Sequence, residues 1–263
     1  KVDPYLDGWS EITTLPTYSN GQTKVYIPTY YDTNKELQYV VGLQKATRTN
    51  PDIPYNTIVG VDQNLLNLDI YHFGETAVAA RPVIVYIHGG AWVGGDKDSV
   101  DSKAKFFNSK GYIFVSVNYR LSAVPSNDYT TWVNTRLKYP THINDCATAL
   151  GWTYTNIDDY GGDPTKLILI GHSAGAQLVS LLGTNQSFIT AAGVPSSALK
   201  GVVSVDTEGF DVKEAIINPA GGAIGTPTSQ RRFYQNVFGI YPDASITGTG
   251  SALTTDFANT TLA

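Results

Sequence analysis

Short apolar runs recur between residues 82 and 205 and alternate with amphipathic stretches. Four of these runs have the length and composition of buried strands: residues 82–87 (PVIVYI), 112–117 (YIFVSV), 166–170 (KLILI) and 199–205 (LKGVVSV). Residues 143–150 repeat apolar side chains at the i, i+3, i+4, i+7 spacing of a helix that faces a core. Alternating strands and helices predict an α/β fold with a mostly parallel sheet flanked by helices. Its active site should lie at the carboxyl ends of the strands.

The N-terminal part of the chain has a different composition. Residues 1–50 are polar and rich in Tyr and Thr, and we expect residues 1–54 to form an arm or cap with a hinge at residues 51–54. The periodicity does not choose between a cap over the binding cleft and an arm packed outside the sheet. Residues 57–61 and 65–71 are predicted to form a hairpin that begins the sheet. Residues 55–263 would then form the core of a single domain.

A serine lies between a predicted strand and a predicted helix. Residues 171–175 (GHSAG) follow the strand 166–170 directly and open into the helix-like residues 176–182. Glycines on both sides of Ser173 permit a strained turn that lifts its hydroxyl clear of the backbone. The bare pattern would arise by chance in roughly one such sequence in seven, but the flanking strand and helix make it specific. This arrangement predicts that Ser173 is an activated nucleophile.

A glycine-rich loop follows the strand 82–87. Residues 88–95 (HGGAWVGG) contain four glycines, so the loop can aim bare backbone N–H groups at a ligand. Hydrolysis of an ester or amide passes through a tetrahedral oxyanion, and each fixed N–H donor is typically worth about 3 kcal/mol there. The natural donors are Gly89 and Gly90, together with Ala174.

These segments resemble the α/β-hydrolase superfamily and, within it, the esterases with a His-Gly-Gly oxyanion loop related to hormone-sensitive lipase. Residues 88–92 (HGGAW) are also similar to the oxyanion loop of kynurenine formamidases. Residues 118–121 (NYRL), Asp145 and residues 162–166 (GDPTK) follow in the order expected of these families. The resemblance covers about residues 53–211.

The resemblance implies a role for each motif. Ser173 would be the nucleophile, and the backbone amides of Gly89, Gly90 and Ala174 would form the oxyanion hole. The histidines of the two motifs would be structural: His172 as the variable position of the turn, and His88 as a residue that holds the loop by hydrogen bonds. Trp92 would either line the pocket or brace the loop from behind.

The histidine pattern departs from the resemblance. Chain order in this fold is serine, acid, histidine, yet all four histidines precede the nucleophile: His72, His88, His142 and His172. We expect His142 to be a surface or boundary residue beside the apolar helical stripe. We expect His72 to lie in the antiparallel start of the sheet, far from Ser173. A chain that lacks the last strands of the fold explains the pattern best. The triad histidine is therefore expected outside these 263 residues.

The sequence also leaves the identity of the triad acid undecided. Asp206 and Glu208 follow the strand 199–205, from which some members of the fold supply their carboxylate. The esterases of closest resemblance take it from the next strand, and residues 206–212 also resemble a structural segment of related esterases. Asp206 is therefore one candidate for the triad acid, to be tested by geometry.

Composition narrows the function further. The net charge of −5, without a basic cluster, argues against a nucleic-acid partner. The apolar runs are far shorter than the ~18 residues that span a bilayer. Cys146 is the only cysteine, so no intrachain disulfide forms, and no metal site is visible. The low charge content suggests a secreted or periplasmic protein; the oligomeric state stays open.

The sequence therefore predicts a serine carboxylic ester hydrolase that acts through an acyl-enzyme on small or aromatic esters and needs no cofactor. Two alternatives remain. An amidase of the arylformamidase type would use the same residues with different pocket contacts. A catalytically inactive α/β-hydrolase that serves as a binding module would account for the missing histidine.

Overall fold

The computed structural model describes residues 48–72, 80–123, 137–207, 209–217 and 227–238. The chain divides between Ala46 and Thr47, and every described element lies in the unit Thr47–Ala263.

One mixed sheet organises the described residues, and the order of its strands is β1-β2-β4-β3-β5-β6. The strands are β1 (Arg48–Pro54), β2 (Asn67–His72), β3 (Arg81–Ile87), β4 (Ile113–Val117), β5 (Gly162–His172) and β6 (Leu199–Val205). Strand β2 pairs antiparallel with β1 and β4, whereas the β4–β3, β3–β5 and β5–β6 pairs are parallel. The four strands predicted from apolar runs are confirmed as β3, β4, β5 and β6, and the mostly parallel sheet is confirmed with them.

Helices cover both faces of this sheet. They are α1 (Asp101–Ser109), α2 (Thr141–Asn156), α3 (Ala174–Thr184), α4 (Ser187–Ala191), α5 (Val212–Ile217) and α6 (Pro227–Phe238). Because side chains alternate along a strand, Val83 and Val85 of β3 enter the larger core, to which α2 and α3 contribute, whereas Ile84 and Tyr86 meet the smaller cluster beneath α1. The helix predicted from residues 143–150 is confirmed as α2, with its apolar stripe buried.

The start of the sheet differs from the predicted hairpin. Residues 57–61 form a turn rather than a strand, and β1 lies earlier in the chain. Asp62 caps a short 3₁₀ helix, Gln63–Leu66, because its side chain accepts a hydrogen bond from the Asn64 N–H. Residues 48–54, which the sequence assigned to the arm or its hinge, thus form a strand that pairs with β2, and the rest of the predicted arm lies outside the described residues. The prolines in β1 are tolerated because it is the outermost strand of the described sheet.

Two features of the described ranges concern membranes and metal ions. None of the helices there combines the length and apolar character needed to cross a membrane. In the same ranges, His, Cys, Asp and Glu side chains form no group of three or more that could hold a metal ion.

Candidate active site

Ser173 lies at the junction between β5 and α3. Strand β5 ends at His172 and α3 begins at Ala174, so the chain reverses its course at the serine itself. Ser173 adopts φ 53° and ψ −117°, a conformation that a non-glycine residue holds only when its surroundings enforce it. The turn predicted from the GHSAG motif is thus present, with the serine at its apex.

The two glycines of the motif allow this turn to form. A Cβ on Gly171 would collide with the Gly175 carbonyl, because the strand and the helix approach each other directly there. A Cβ on Gly175 would collide with the carbonyl of Ile87, where β3 ends. The first turn of α3 can therefore pack against the end of β3. This close approach brings Ser173 next to the loop that follows β3.

The loop after β3 closes in a left-handed turn. Gly90, Ala91 and Trp92 have φ values of 115°, 55° and 59°. The N–H groups of Val93 and Gly94 both donate to the Gly90 carbonyl, at 3.1 and 3.0 Å. Left-handed backbone costs roughly 1–2 kcal/mol for each non-glycine residue. The loop therefore holds one specific shape only because its neighbours fix it.

Gly89 is the point of contact between this loop and the serine. A Cβ built on Gly89 would lie 3.1 Å from the Ser173 Cβ and 2.8 Å from the His172 carbonyl oxygen. The Ala174 N–H is the first of α3, and no preceding turn of the helix offers it an acceptor. The structure thus brings together the backbone of Gly89, the side chain of Ser173 and the start of α3.

His88 is buried beneath the loop after β3 and bonds to it. Its Nδ1 lies 2.7 Å from the Gly89 carbonyl oxygen, and its ring stacks on Tyr119 with centroids 4.5 Å apart. Burial lowers the pKa of His88, although the hydrogen bond to Gly89 opposes this. The ring is therefore neutral and holds the loop, as the sequence led us to expect.

The expectation that His142 is a surface or boundary residue was wrong. Its side chain is buried, with 1% exposure, and its Nε2 lies 3.0 Å from the Ser122 Oγ. Burial and the positive charge of Arg120 lower the pKa of His142 to about 3. Residues after β4 cover the first turn of α2, and Arg120 forms a two-point ion pair there with the buried Asp145.

His72 lies where the sequence placed it, in the antiparallel part of the sheet. It ends β2, and its Nε2 lies 2.7 Å from the Asn50 side-chain oxygen. Because β2 runs antiparallel to β4, this end of β2 lies at the amino end of β4. His72 is therefore at the opposite edge of the sheet from Ser173.

A cleft of about 340 Å³ opens at Ser173. Its lining comes from four segments of the chain and consists of Ala91, Trp92, His172, Ser173, Ala174, Asp206, Thr207, Gly209, Phe233 and Tyr234. The last two residues belong to α6, and sequence reasoning missed them. The signal was present, because Phe233, Tyr234, Val237 and Phe238 form a helical apolar stripe.

Trp92 lies between the cleft and α6. It lines the cleft, yet only 4% of the residue is exposed. Phe233, Tyr234 and Phe238 of α6 surround its indole, with ring centroids 6.4, 6.1 and 5.0 Å away. The loop after β3 and α6 are thus joined through one side chain.

Asp206 follows β6 and lines the same cleft. It is exposed, and its φ is 55°. Asp206 therefore lies at the same end of the sheet as Ser173. Glu208, the second candidate acid, lies outside the described residues.

Comparison with known proteins agrees with this geometry. The model of the BD-FAE family matches residues 68–205, which is just over half of the 263 residues. The chain belongs to the BD-FAE family. The matched region runs from β2 to the end of β6 and contains both the loop after β3 and Ser173.

Individual relatives of this BD-FAE chain are named as esterases. It is 36% identical to Esterase LipQ of Mycobacterium tuberculosis over 132 residues, which is 49% of this chain and 28% of LipQ. It is 40% identical to the Probable carboxylic ester hydrolase LipM of the same organism over 117 residues, which is 44% of this chain and 24% of LipM. The chain thus spans about a quarter of the length of these relatives.

A solved structure supports the fold. Esterase B from Lactobacillus Rhamnosis aligns with 73% of this chain and 56% of its own, at a TM-score of 0.52 and 19% identity. The described sheet and helices thus form an α/β-hydrolase fold, as the sequence resemblance implied.

Proposed function

We propose that the chain is a serine carboxylic ester hydrolase that acts through an acyl-enzyme on small or aromatic esters. One observation carries the proposal: Ser173, held at φ 53° at the head of α3, opens into a cleft while Gly89 packs against its Cβ. The esterase relatives support the same reaction class.

The proposed reaction has two halves. The Ser173 Oγ attacks the ester carbonyl carbon, and the N–H groups of Gly89, Gly90 and Ala174 stabilise the oxyanion. The bond to the alcohol oxygen then breaks, and the proton from Oγ passes through a base to the departing alcohol. Water next attacks the acyl-serine ester, which releases the carboxylic acid and regenerates the serine. No step needs a cofactor.

None of the four histidines is placed to act as the general base that takes the Ser173 proton. His72 lies at the far edge of the sheet, His88 is bonded to Gly89, and His142 is buried against Ser122. His172 precedes Ser173, and its Nδ1 would lie 3.0 Å from a Cβ on Gly89, beside the loop rather than across the cleft. We therefore propose that the base is a different group and that Asp206 is a candidate for the acid that orients it.

The cleft supports the proposed substrate class. A volume of about 340 Å³ accommodates a small acyl or aryl group, and Trp92, Phe233 and Tyr234 offer ring faces or edges to it. An N-formyl aromatic amine would fit the same walls. Paired assays with aryl acetates and N-formyl aromatic amines distinguish an esterase from an amidase.

The first prediction concerns Ser173. Hydrolysis of p-nitrophenyl acetate should be blocked by a serine-directed phosphonate, and Ser173→Ala should lower kcat by roughly 10⁴-fold or more, as expected for loss of a nucleophile. Ser180→Ala removes a hydroxyl from the same helix and should leave kcat within about twofold. Intact mass spectrometry should place one phosphonate on Ser173.

Two outcomes would redirect the proposal. Turnover that appears only when free imidazole is added would mean that the nucleophile and oxyanion donors are assembled and the base is missing from this chain. Neither turnover nor labelling of Ser173, with or without imidazole, would refute the hydrolase and favour the binding module.

A further inference from the structure

We propose that Tyr119 is a positioning residue of the candidate active site: it holds the His88 carbonyl so that the Gly89 N–H points at the reacting carbonyl oxygen of the substrate. The inference rests on the proposed function, because that function gives the Gly89 amide its role as an oxyanion donor.

The geometry of the peptide bond links the two groups. A trans peptide is planar, so its carbonyl oxygen and its N–H point in opposite directions. The Gly89 N–H shares a peptide with the His88 carbonyl, and the Gly90 N–H shares one with the Gly89 carbonyl. A hydrogen bond that fixes either carbonyl therefore fixes the direction of the N–H that follows it.

Tyr119 makes that bond to the first of these peptides. Its hydroxyl donates to the His88 carbonyl oxygen at 3.1 Å, and both residues are buried. Its ring also stacks on the His88 ring, with an angle of 16° between the planes. Tyr119 therefore restrains His88 at two points, one on the backbone and one on the side chain.

The stacked imidazole restrains the second peptide. The His88 Nδ1 lies 2.7 Å from the Gly89 carbonyl oxygen, and because a carbonyl only accepts, Nδ1 must carry the proton. The Gly90 N–H is thereby directed as well. For the third proposed donor, the Ser173 carbonyl accepts from the N–H groups of Ala176 and Gln177 at 2.9 and 3.2 Å, which fixes the peptide of the Ala174 N–H. All three donor peptides are thus anchored through their carbonyls.

The surroundings of Tyr119 hold its side chain and backbone in place. The residue is completely buried, and the His142 ring meets it edge-on with centroids 6.3 Å apart. The next residue along the chain, Arg120, is tied to Asp145 through both its side chain and its backbone N–H. A residue on so rigid a support can direct the loop after β3 without touching the substrate.

Tyr119→Phe tests the proposal, because it keeps the stacked ring and removes only the hydroxyl. The matched control is Tyr55→Phe. Tyr55 is also buried, and its hydroxyl donates at 2.8 Å to a backbone carbonyl, that of Asn118, outside the loop after β3. Both variants lose a comparable buried hydrogen bond, so a purely structural role predicts similar behaviour.

For the ester substrate, we expect Tyr119→Phe to lower kcat by about 10- to 100-fold, somewhat less than removal of a whole oxyanion donor. Its KM should stay within about twofold, because the bond serves the transition state rather than ground-state binding. Tyr55→Phe should leave both constants within about twofold. Amide hydrogen exchange at residues 88–92 should be faster in Tyr119→Phe and unchanged in Tyr55→Phe.

The outcomes separate this inference from the proposed function. If the wild-type protein hydrolyses the ester, equal kcat values for the two variants, or a change confined to KM, would overturn the role of Tyr119. If the wild-type protein shows neither turnover nor labelling of Ser173, with or without imidazole, the proposed function fails. The exchange measurement then decides alone: faster exchange in Tyr119→Phe supports positioning of the loop, and equal exchange in the two variants refutes it.

Discussion

At the scale of single residues, backbone strain is concentrated around one cleft. Six non-glycine residues in the described ranges have a positive φ, and four of them line the cleft: Ala91, Trp92, Ser173 and Asp206. Each such conformation costs of order 1–3 kcal/mol and persists only where the surroundings enforce it. Because four of these residues lie at one cleft, the surroundings of the cleft must be rigid. Preorganised hydrogen-bond donors require such rigid surroundings.

Gly175 gives the sharpest residue-scale prediction, because helix propensity and packing disagree there. In α3, alanine would be favoured over glycine by up to about 1 kcal/mol. A Cβ at this position, however, meets the carbonyls of Ile87 and His88, which are backbone atoms that cannot turn aside. We expect packing to win, so that Gly175→Ala lowers the unfolding free energy by about 1–3 kcal/mol in urea titrations.

The matched change is Gly201→Ala in β6, where a Cβ has no neighbour within 4 Å. This variant should be as stable as the wild type, or slightly more stable. A Gly175→Ala protein at least as stable as the wild type would mean that α3 and the end of β3 do not approach each other as closely as described.

At the scale of elements, strands β3 to β6 could be predicted from the sequence, whereas the outermost strand β1 could not. Strands β3 and β4 are apolar runs buried on both faces, and the second half of β5 is a similar run. β6 is more exposed, but its leucine and three valines still gave a strand signal. β1 escaped detection because its sequence, RTNPDIP, has only Thr49 and Ile53 as strand-favouring residues beside two prolines, an asparagine and an aspartate. It is a strand because β2 offers it hydrogen bonds, and pairing between distant segments does not appear in local sequence.

Contacts between distant segments also explain why the burial of His142 and the position of α6 were not predicted. The helical stripe of α2 was predicted correctly, but the segment that buries His142 comes from residues 120–122, about 20 positions earlier. Likewise, Phe233 and Tyr234 reach the cleft only because α6 packs on Trp92. The turn at Ser173 and the glycine loop could be predicted because each is encoded by consecutive residues.

Helix α6 supplies an element-scale prediction. Phe238 is buried and meets the Trp92 indole edge-on at 5.0 Å, so it anchors α6 to the loop after β3. Phe238→Ala should lower the unfolding free energy by about 3–5 kcal/mol. Phe106→Ala is the control, because that ring is 56% exposed on α1 and should cost less than about 1 kcal/mol. Equal costs in the two variants would show that α6 does not pack on Trp92.

At the scale of the whole molecule, two neutral histidines are built into the interior. His88 lies beneath the loop after β3, and His142 lies at the start of α2, with burial the leading cause of the lowered pKa in both. Each contacts Tyr119 by a ring face or an edge. The support of the proposed oxyanion hole thus contains groups that the unfolded chain would protonate at mildly acidic pH.

Acid stability follows from this difference. The pKa of His142 is about 3 in the folded state and near 6.5 in an unfolded chain. Between these values the unfolded chain binds a proton that the folded protein does not, so stability rises with pH and is lost as the pH falls from about 6.5 towards 3. One such group contributes a slope of up to about 1.4 kcal/mol per pH unit.

His142→Gln removes this titration while retaining an amide that can meet the Ser122 hydroxyl. The variant should start with a lower unfolding free energy at pH 7, but its loss of stability between pH 6.5 and 4 should be shallower than that of the wild type, by up to the slope of one group. Urea titrations at several pH values measure both slopes. In the folded wild-type protein, the NMR signal of the His142 ring should not titrate between pH 7 and 4. Two results would contradict this prediction: titration of that ring near pH 6, or equal slopes of unfolding free energy against pH in the two proteins. Either result would mean that His142 is accessible to protons in the native state and that the surroundings of Tyr119 are less rigid.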